Sequence, residues 1–319
     1  MESTDSIPKP WRREQELVGD ASCRRYARIW DDSDGTAILA RYPPTVRSQM
    51  ERDLEVRFWC EAKGLRVPAL LDHDLDGGWV VLEDFGPDDA ETTLEKSTPQ
   101  GRQALTRQLL SPLARLAEFL PTDLPPWNPP LDRARLRWEL AGFELWFVRH
   151  YLEQSPSPDV SRWLDDLAVA IEEHPPRVCH RDYHLNNLFL LADGSVGMID
   201  YQDILVGPDT YDAVSLLGER GLPQLLAGAE KVRVQEAWAR DTNAPPGWRE
   251  RWLLVRVQRA LKVIGTFSRL VTSGLAPYSS WMENLALETG PELASLEAPS
   301  ELVDLLLDLS RRRRPTTGG

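Results

Sequence analysis

The chain of 319 residues has little cysteine: Cys23, Cys60 and Cys179 are its only three. They lie far apart, with no CxxC pair, which excludes a disulfide framework and a zinc knuckle. Excess positive charge is also missing. Lys plus Arg is 37 against 50 for Asp plus Glu, a net charge of −13. Sequence-independent nucleic-acid binding needs a basic field and is excluded. No stretch reaches the roughly 18 consecutive apolar residues of a membrane-spanning helix. The opening Met1-Glu2-Ser3-Thr4-Asp5 is acidic and has no apolar segment of the kind a secretory signal needs. These absences predict a cytoplasmic protein with neither nucleic acid nor membrane as partner, and the expected state is a monomer. Enough is present for a sizeable core. Apolar residues make up 42% and charged residues 27%, too apolar a mixture for general disorder. The length suits about two domains or one two-lobed domain.

The first 80 residues read as short strands around one helix. Tyr26–Trp30 and Ala37–Ala40 flank the turn cluster Asp31-Asp32-Ser33-Asp34-Gly35, a hairpin pattern. A helix is expected over Arg47–Gly64, with Met50, Leu54 and Phe58 on one face and Gly64 as its C-terminal glycine. A second hairpin spans Leu70–Leu82 around Asp76-Gly77-Gly78. Beyond Thr98 the pattern turns helical, first over Gln103–Leu120. Pro121–Pro130 holds five prolines in ten residues and must be a loop. Leu131, Ala134, Trp138, Ala141, Leu145, Val148 and Leu152 recur at 3,4 spacing, which predicts an amphipathic helix with Trp138 in the core. Further helices are expected over Asp159–Glu173, Thr210–Glu219, Trp248–Leu270 and Ser300–Arg311. Arg311–Gly319 reads as a frayed basic tail. A small β-rich lobe before a large helical one is the layout of kinase-like folds.

The chemistry is concentrated between Val178 and Asp203. Leu188–Leu191 and Val196–Ile199 are apolar runs joined by a turn with Asp193-Gly194, so they pair as a hairpin. Asn187 precedes the first strand and Asp200 follows the second, which brings both to the open end. An amide oxygen and a carboxylate are hard ligands of the kind Mg²⁺ prefers. Asp182 lies five residues before Asn187, placed to accept the proton of an attacking hydroxyl. The run is the H-x-D-x-x-x-x-N pattern with a downstream metal-binding Asp that serves phosphoryl transfer. A hydrolytic metal site built on His180, Asp182 and His184 would need further ligands that no recognisable pair supplies.

These residues resemble the aminoglycoside phosphotransferase-like kinases, in which the motif usually reads H-G-D; here Arg181 stands in place of the glycine. A closer resemblance is to the bacterial anomeric kinases of N-acetylmuramate and N-acetylglucosamine in cell-wall recycling. Four segments carry it: Gly19–Tyr26; Val81–Gly86; His180–Asn187 continuing through Ile199–Asp203, Gly207-Pro208 and Tyr211-Asp212; and Arg259–Leu270. The resemblance implies an α+β, two-lobed, protein-kinase-like fold. The expected division is a nucleotide-binding lobe over residues 1–86, a helical lobe over 87–310 and a tail over 311–319. It implies ATP and Mg²⁺ as cofactors and a small-molecule sugar as partner. Asp182 would be the base, with Asn187 and Asp200 the metal ligands. Gly19 and Ser22 would belong to the loop over the phosphates, and Glu83, Asp84 and Phe85 to the hinge that meets adenine. No lysine ends the strand Ala37–Ala40; Arg41 is the expected replacement, paired with Glu55, the best-placed acid of the following helix, or with Glu51. Arg133, Arg137, Asp203 and Arg259 are the candidates for reading the acceptor, since the lactyl carboxylate of N-acetylmuramate calls for an arginine. The alternatives are a kinase of an aminoglycoside or choline-like hydroxyl and a non-catalytic nucleotide-binding scaffold.

Overall fold

The computed structural model describes residues 7–17, 24–218, 222–226, 228–275 and 278–312. The expected phosphate loop with Gly19 and Ser22, and the tail beyond Arg312, lie outside the described residues. The chain divides into two units. One comprises Met1–Arg115 with His184–Ile204; the other comprises Leu116–Tyr183 with Leu205–Gly319.

The first unit is built on a five-stranded antiparallel sheet ordered β1-β2-β3-β5-β4, with β1 Arg13–Leu17, β2 Arg25–Trp30, β3 Thr36–Arg41, β4 Leu70–Asp74 and β5 Trp79–Glu83. Both expected hairpins are present, β2 with β3 and β4 with β5. Helix α1, Gln49–Ala62, packs on one face through Ala40, Tyr42, Met50, Leu54 and Val80. Gly64 follows it at φ +73°, a backbone setting that favours glycine, which is why the helix stops there. The other face carries Ile29, Ala37, Leu39 and Val81 under Trp11 and Trp79. Alternation along β3 thus sends Ala40 and Tyr42 toward α1 and Leu39 and Arg41 away from it.

Helices α2 (Ala90–Glu95), α3 (Pro99–Gln108) and α4 (Ser111–Ala117) follow. The single helix expected over Gln103–Leu120 is therefore two. Thr98 caps α3, accepting from Gly101 N, with Pro99 in its first turn. Pro112 lacks the N–H that would continue the ladder across residues 109–110.

In the second unit, α5 (Arg133–Gly142) runs directly into a π-helical stretch, Phe143–Tyr151. Next come α6 (Pro158–Glu172) and β6 (Pro176–Cys179). The hairpin strands β7 (Leu188–Leu190) and β8 (Val196–Met198) belong to the first unit. Strand β9 (Leu205–Pro208) returns to pair with β6. Helices α7 (Tyr211–Gly218), α8 (Leu222–Leu225), α9 (Gly228–Asp241), α10 (Trp248–Thr272), α11 (Tyr278–Ser295) and α12 (Ser300–Arg312) complete it. Helices α9 and α11 were not expected from the apolar pattern.

The α5 stripe corrects one expectation. Trp138 is 73% exposed, and Leu136, Leu140, Phe143 and Phe147 fill the core instead. Both rows have 3,4 spacing, and the choice is made by α10. A Cβ on Gly265 would come 2.7 Å from the Phe143 backbone nitrogen, so the two helices touch backbone to backbone at that face. Three other tryptophans, Trp238, Trp248 and Trp252, pack edge to face with one another. Among the described residues no helix is long and apolar enough to cross a membrane.

Candidate active site

The hairpin β7–β8 forms where its two apolar runs and their turn predict it. Ile199 N donates to the Asn187 carbonyl at 3.0 Å, which closes the open end; the register sets Asn187 opposite Ile199, with Asp200 the next residue beyond. Asn187 is nearly buried, and its amide meets the His184 ring at 3.2 Å. Asp200 sits at φ +62°, left-handed and costly for a residue with a side chain. Its carboxylate accepts from Gln202 Nε2 at 2.8 Å and remains 47% exposed. Such strain is kept where the surroundings over-determine it, commonly at functional sites.

The segment expected to be a hinge packs on the same hairpin. Phe85 stacks obliquely on Phe189 with centroids 5.6 Å apart and lies under the Arg66 guanidinium. A Cβ on Gly197 would stand 2.5 Å from the Phe85 ring, so the glycine makes room for it. The side chains of Glu83 and Asp84 are engaged within the unit. Glu83 binds Arg66 and the Ala69 N–H; Asp84 binds Arg28 and the Gly86 N–H. Asn186, just before the hairpin, donates to Asp89 at 3.0 Å and to Glu91 at 2.6 Å. Asp203 closes the short turn Tyr201–Asp203.

The expected Arg41–Glu55 pair is not formed. Arg41 forks onto Glu14 of β1, with one arm at 2.8 Å, on the sheet face away from α1. The cation that reaches α1 is Arg24. Its Nη1 donates to Asp53 at 3.0 Å, and its Nη2 lies 3.7 Å from Asp200. Tyr42 also donates to Asp53 at 3.0 Å.

In the second unit β6 leads into His180-Arg181-Asp182. Arg181 has φ +80°. That explains why a glycine suits this position, and the arginine needs a tether. Asp212, on α7, provides it by accepting the His180 N–H at 2.6 Å and the Arg181 N–H at 2.9 Å. Burial raises the Asp182 carboxyl, but Lys262, Arg259 and Arg181 outweigh it and hold the group below the ordinary carboxylate range. It is therefore ionised at neutral pH and able to take a proton.

Those cations have further partners. Arg259 donates to Ser215 at 2.9 Å and covers the Tyr211 ring. Lys262 lies 3.3 Å from Glu139, whose other oxygen accepts from Gln258. Arg137 is committed to Glu144 and Asp165, whereas Arg133 is exposed and its backbone N–H binds Glu172. Arg24 and Asp212 both lie within the motif segments Gly19–Tyr26 and Tyr211-Asp212, which by themselves assign neither a role. Strand parity was the available signal for Arg24; none existed for Asp212.

The sequence model of the Phosphotransferase enzyme family matches residues 14–252. An N-acetylmuramate/N-acetylglucosamine kinase of Pseudomonas aeruginosa is 33% identical over 263 residues, covering 79% of this chain and 75% of its own. Its namesake in Neisseria meningitidis is 32% identical over 268 residues, covering 79% and 77%. Among solved structures, the streptomycin-ATP-APH(2")-IIa ternary complex superposes with a TM-score of 0.57 at 13% identity, covering 84% of this chain and 91% of its own. That likeness shows the fold: an α+β kinase-like fold, with an antiparallel sheet in the N-terminal part and a helical C-terminal part.

Proposed function

Because the chain belongs to the Phosphotransferase enzyme family, we propose that it transfers the γ-phosphoryl group of ATP to the anomeric hydroxyl of N-acetylmuramate or N-acetylglucosamine. The observation that carries the acceptor is the shared name of two relatives, 33% and 32% identical over 79% of this chain. ATP as donor is supported by the ternary complex of the structural neighbour. We assign the enzyme to the cytoplasm, as a monomer recovering amino sugars from the cell wall.

Asp182 is the base. Its carboxylate, kept ionised by three cations, accepts the hydroxyl proton. Asn187 and Asp200 are the residues that would hold Mg²⁺. Among the described residues no cluster of three His, Cys, Asp or Glu is placed for a metal. A site of one amide and one carboxylate fits Mg²⁺, which keeps waters and takes phosphate oxygens for its remaining positions. When bound, the ion neutralises charge on the phosphates. Phe85 and its neighbours are the adenine-side residues, and Arg133, Asp203 and Arg259 remain the acceptor-side candidates.

The test is ADP release measured with N-acetylmuramate, N-acetylglucosamine, an aminoglycoside and choline. Turnover with the two amino sugars, yielding a 1-phosphate by NMR, is expected. Preference for the aminoglycoside or choline would overturn the acceptor, and no ADP release with any of the four would overturn the kinase reading.

A further inference from the structure

Phosphoryl transfer of this type needs a fixed cation beside the metal-binding carboxylate to hold the phosphates, and the usual device is a strand lysine paired with a helix acid. The first unit offers no such lysine. Its three are Lys9, Lys63 and Lys96, none of them on a strand. Arg41 is turned to the wrong face and bound to Glu14. Arg28 shares the α1 face, but its fork is closed on Asp84 and the Gly86 carbonyl.

We propose that Arg24 is the phosphate-binding cation of this enzyme and that Asp53 is its positioning residue. The inference rests on the nucleotide-dependent reading above. Arg25 registers with Arg41, so Arg24 falls beside Tyr42, on the α1 face of the sheet. There its side chain is 14% exposed, with the guanidinium 5.6 Å from the Tyr26 ring centroid and 5.8 Å from that of Tyr42. One arm is fixed on Asp53, which is buried and also held by the Tyr42 hydroxyl. The other arm points at Asp200 from 3.7 Å, an ion-pair distance longer than a hydrogen bond. Among the described residues it is the only cationic partner of Asp200. Helix acid, cation and metal carboxylate are thus joined in one line, the connection that Lys, Glu and Asp make elsewhere, with each partner supplied from a different sequence position. A guanidinium is suited to the task because its planar fork grips carboxylate and phosphate oxygens at once.

The experiment is calorimetric binding of AMP-PNP with Mg²⁺, and of adenosine, to the full chain. Arg24→Gln should weaken AMP-PNP about ten- to a hundredfold while adenosine is unchanged, since one charge-assisted contact to phosphate is lost. Arg24→Lys should restore part of the affinity. Asp53→Asn should weaken AMP-PNP in the same sense by a smaller factor. The double variant Arg24→Gln/Asp53→Asn leaves no lone buried charge, and it decides the matter if the single variant does not fold. Unchanged AMP-PNP affinity in the glutamine variants, or equal loss of AMP-PNP and adenosine, would overturn the proposal. If such variants bind AMP-PNP normally while the wild type phosphorylates amino sugars, Arg24 is misassigned and the function stands. An Arg24-dependent AMP-PNP affinity in a wild type inactive on every sugar would support Arg24 and refute the acceptor.

Discussion

Replacing Asp212 by Asn isolates what holds the catalytic loop. The carboxylate accepts two buried backbone N–H groups, from His180 at 2.6 Å and from Arg181 at 2.9 Å. Asp212 is 5% exposed and His180 1%, so water cannot substitute. Asn keeps one acceptor oxygen and turns an NH₂ toward the other donor. At least one hydrogen bond to a charged group is lost, worth about 1.5–3 kcal/mol. In a protein of 319 residues that lowers Tm by roughly 2–5 °C. A kinetic consequence follows from Arg181, whose φ of +80° costs a side-chain-bearing residue about 1–2 kcal/mol. Once a tether is gone, relaxation toward negative φ displaces Asp182, and a shift of about 1 Å costs up to ~10²-fold in kcat. Thermal melts and steady-state kinetics should show both losses, with KM for ATP little changed. Adding Arg181→Gly to Asp212→Asn removes the strain and should recover about 1 kcal/mol of stability. A single Asn variant with wild-type Tm and kcat would refute the tether. A double variant less stable than the single would refute the strain argument.

Asp182→Asn should cut kcat by about 10²–10⁴-fold or more while AMP-PNP binding persists; near-normal turnover would remove Asp182 from the base role. Asp182 is held below the ordinary carboxylate range, so its charge survives to lower pH and the acid limb of kcat/KM should lie below the pH at which an unperturbed aspartate titrates. In Lys262→Gln a cation is lost, the effect of burial gains weight, and that limb should move to higher pH; a limb that stays fixed would show that Lys262 does not set it. Gly197→Ala drives a Cβ to 2.5 Å from the Phe85 ring and should cost about 1–3 kcal/mol, read as a lower Tm. Burial pushes the Cys60 thiol up to about 12, so native protein should resist alkylation there at pH 7.5 by mass spectrometry and react only after unfolding.

Local chemistry was legible in the sequence because it is set by near neighbours along the chain. The turn at Asp193-Gly194 fixes the length of β7 and β8, and that length places Asn187 and Asp200 at the same end of the hairpin, where Ile199 N bonds the Asn187 carbonyl. The β2–β3 and β4–β5 hairpins and the end of α1 at Gly64 were readable for the same reason. Contacts between distant segments were not. Trp138 and Leu140 lie on competing stripes of one helix, and only the close approach of α10 at Gly265 decides which is buried. Arg41 and Arg24 are both arginines near strand ends. Their roles are separated by which sheet face α1 covers, and that is a consequence of packing Ala40, Tyr42, Met50 and Leu54 together. Asp212, 31 residues from Arg181, meets it because β6 and β9 pair and return the chain to the start of α7. The sequence by itself determined which chemical groups exist and the short-range frame that carries them. Tertiary structure decided which charges meet, because burial of one face against another is a property of the assembled layers and leaves no fixed spacing in the chain.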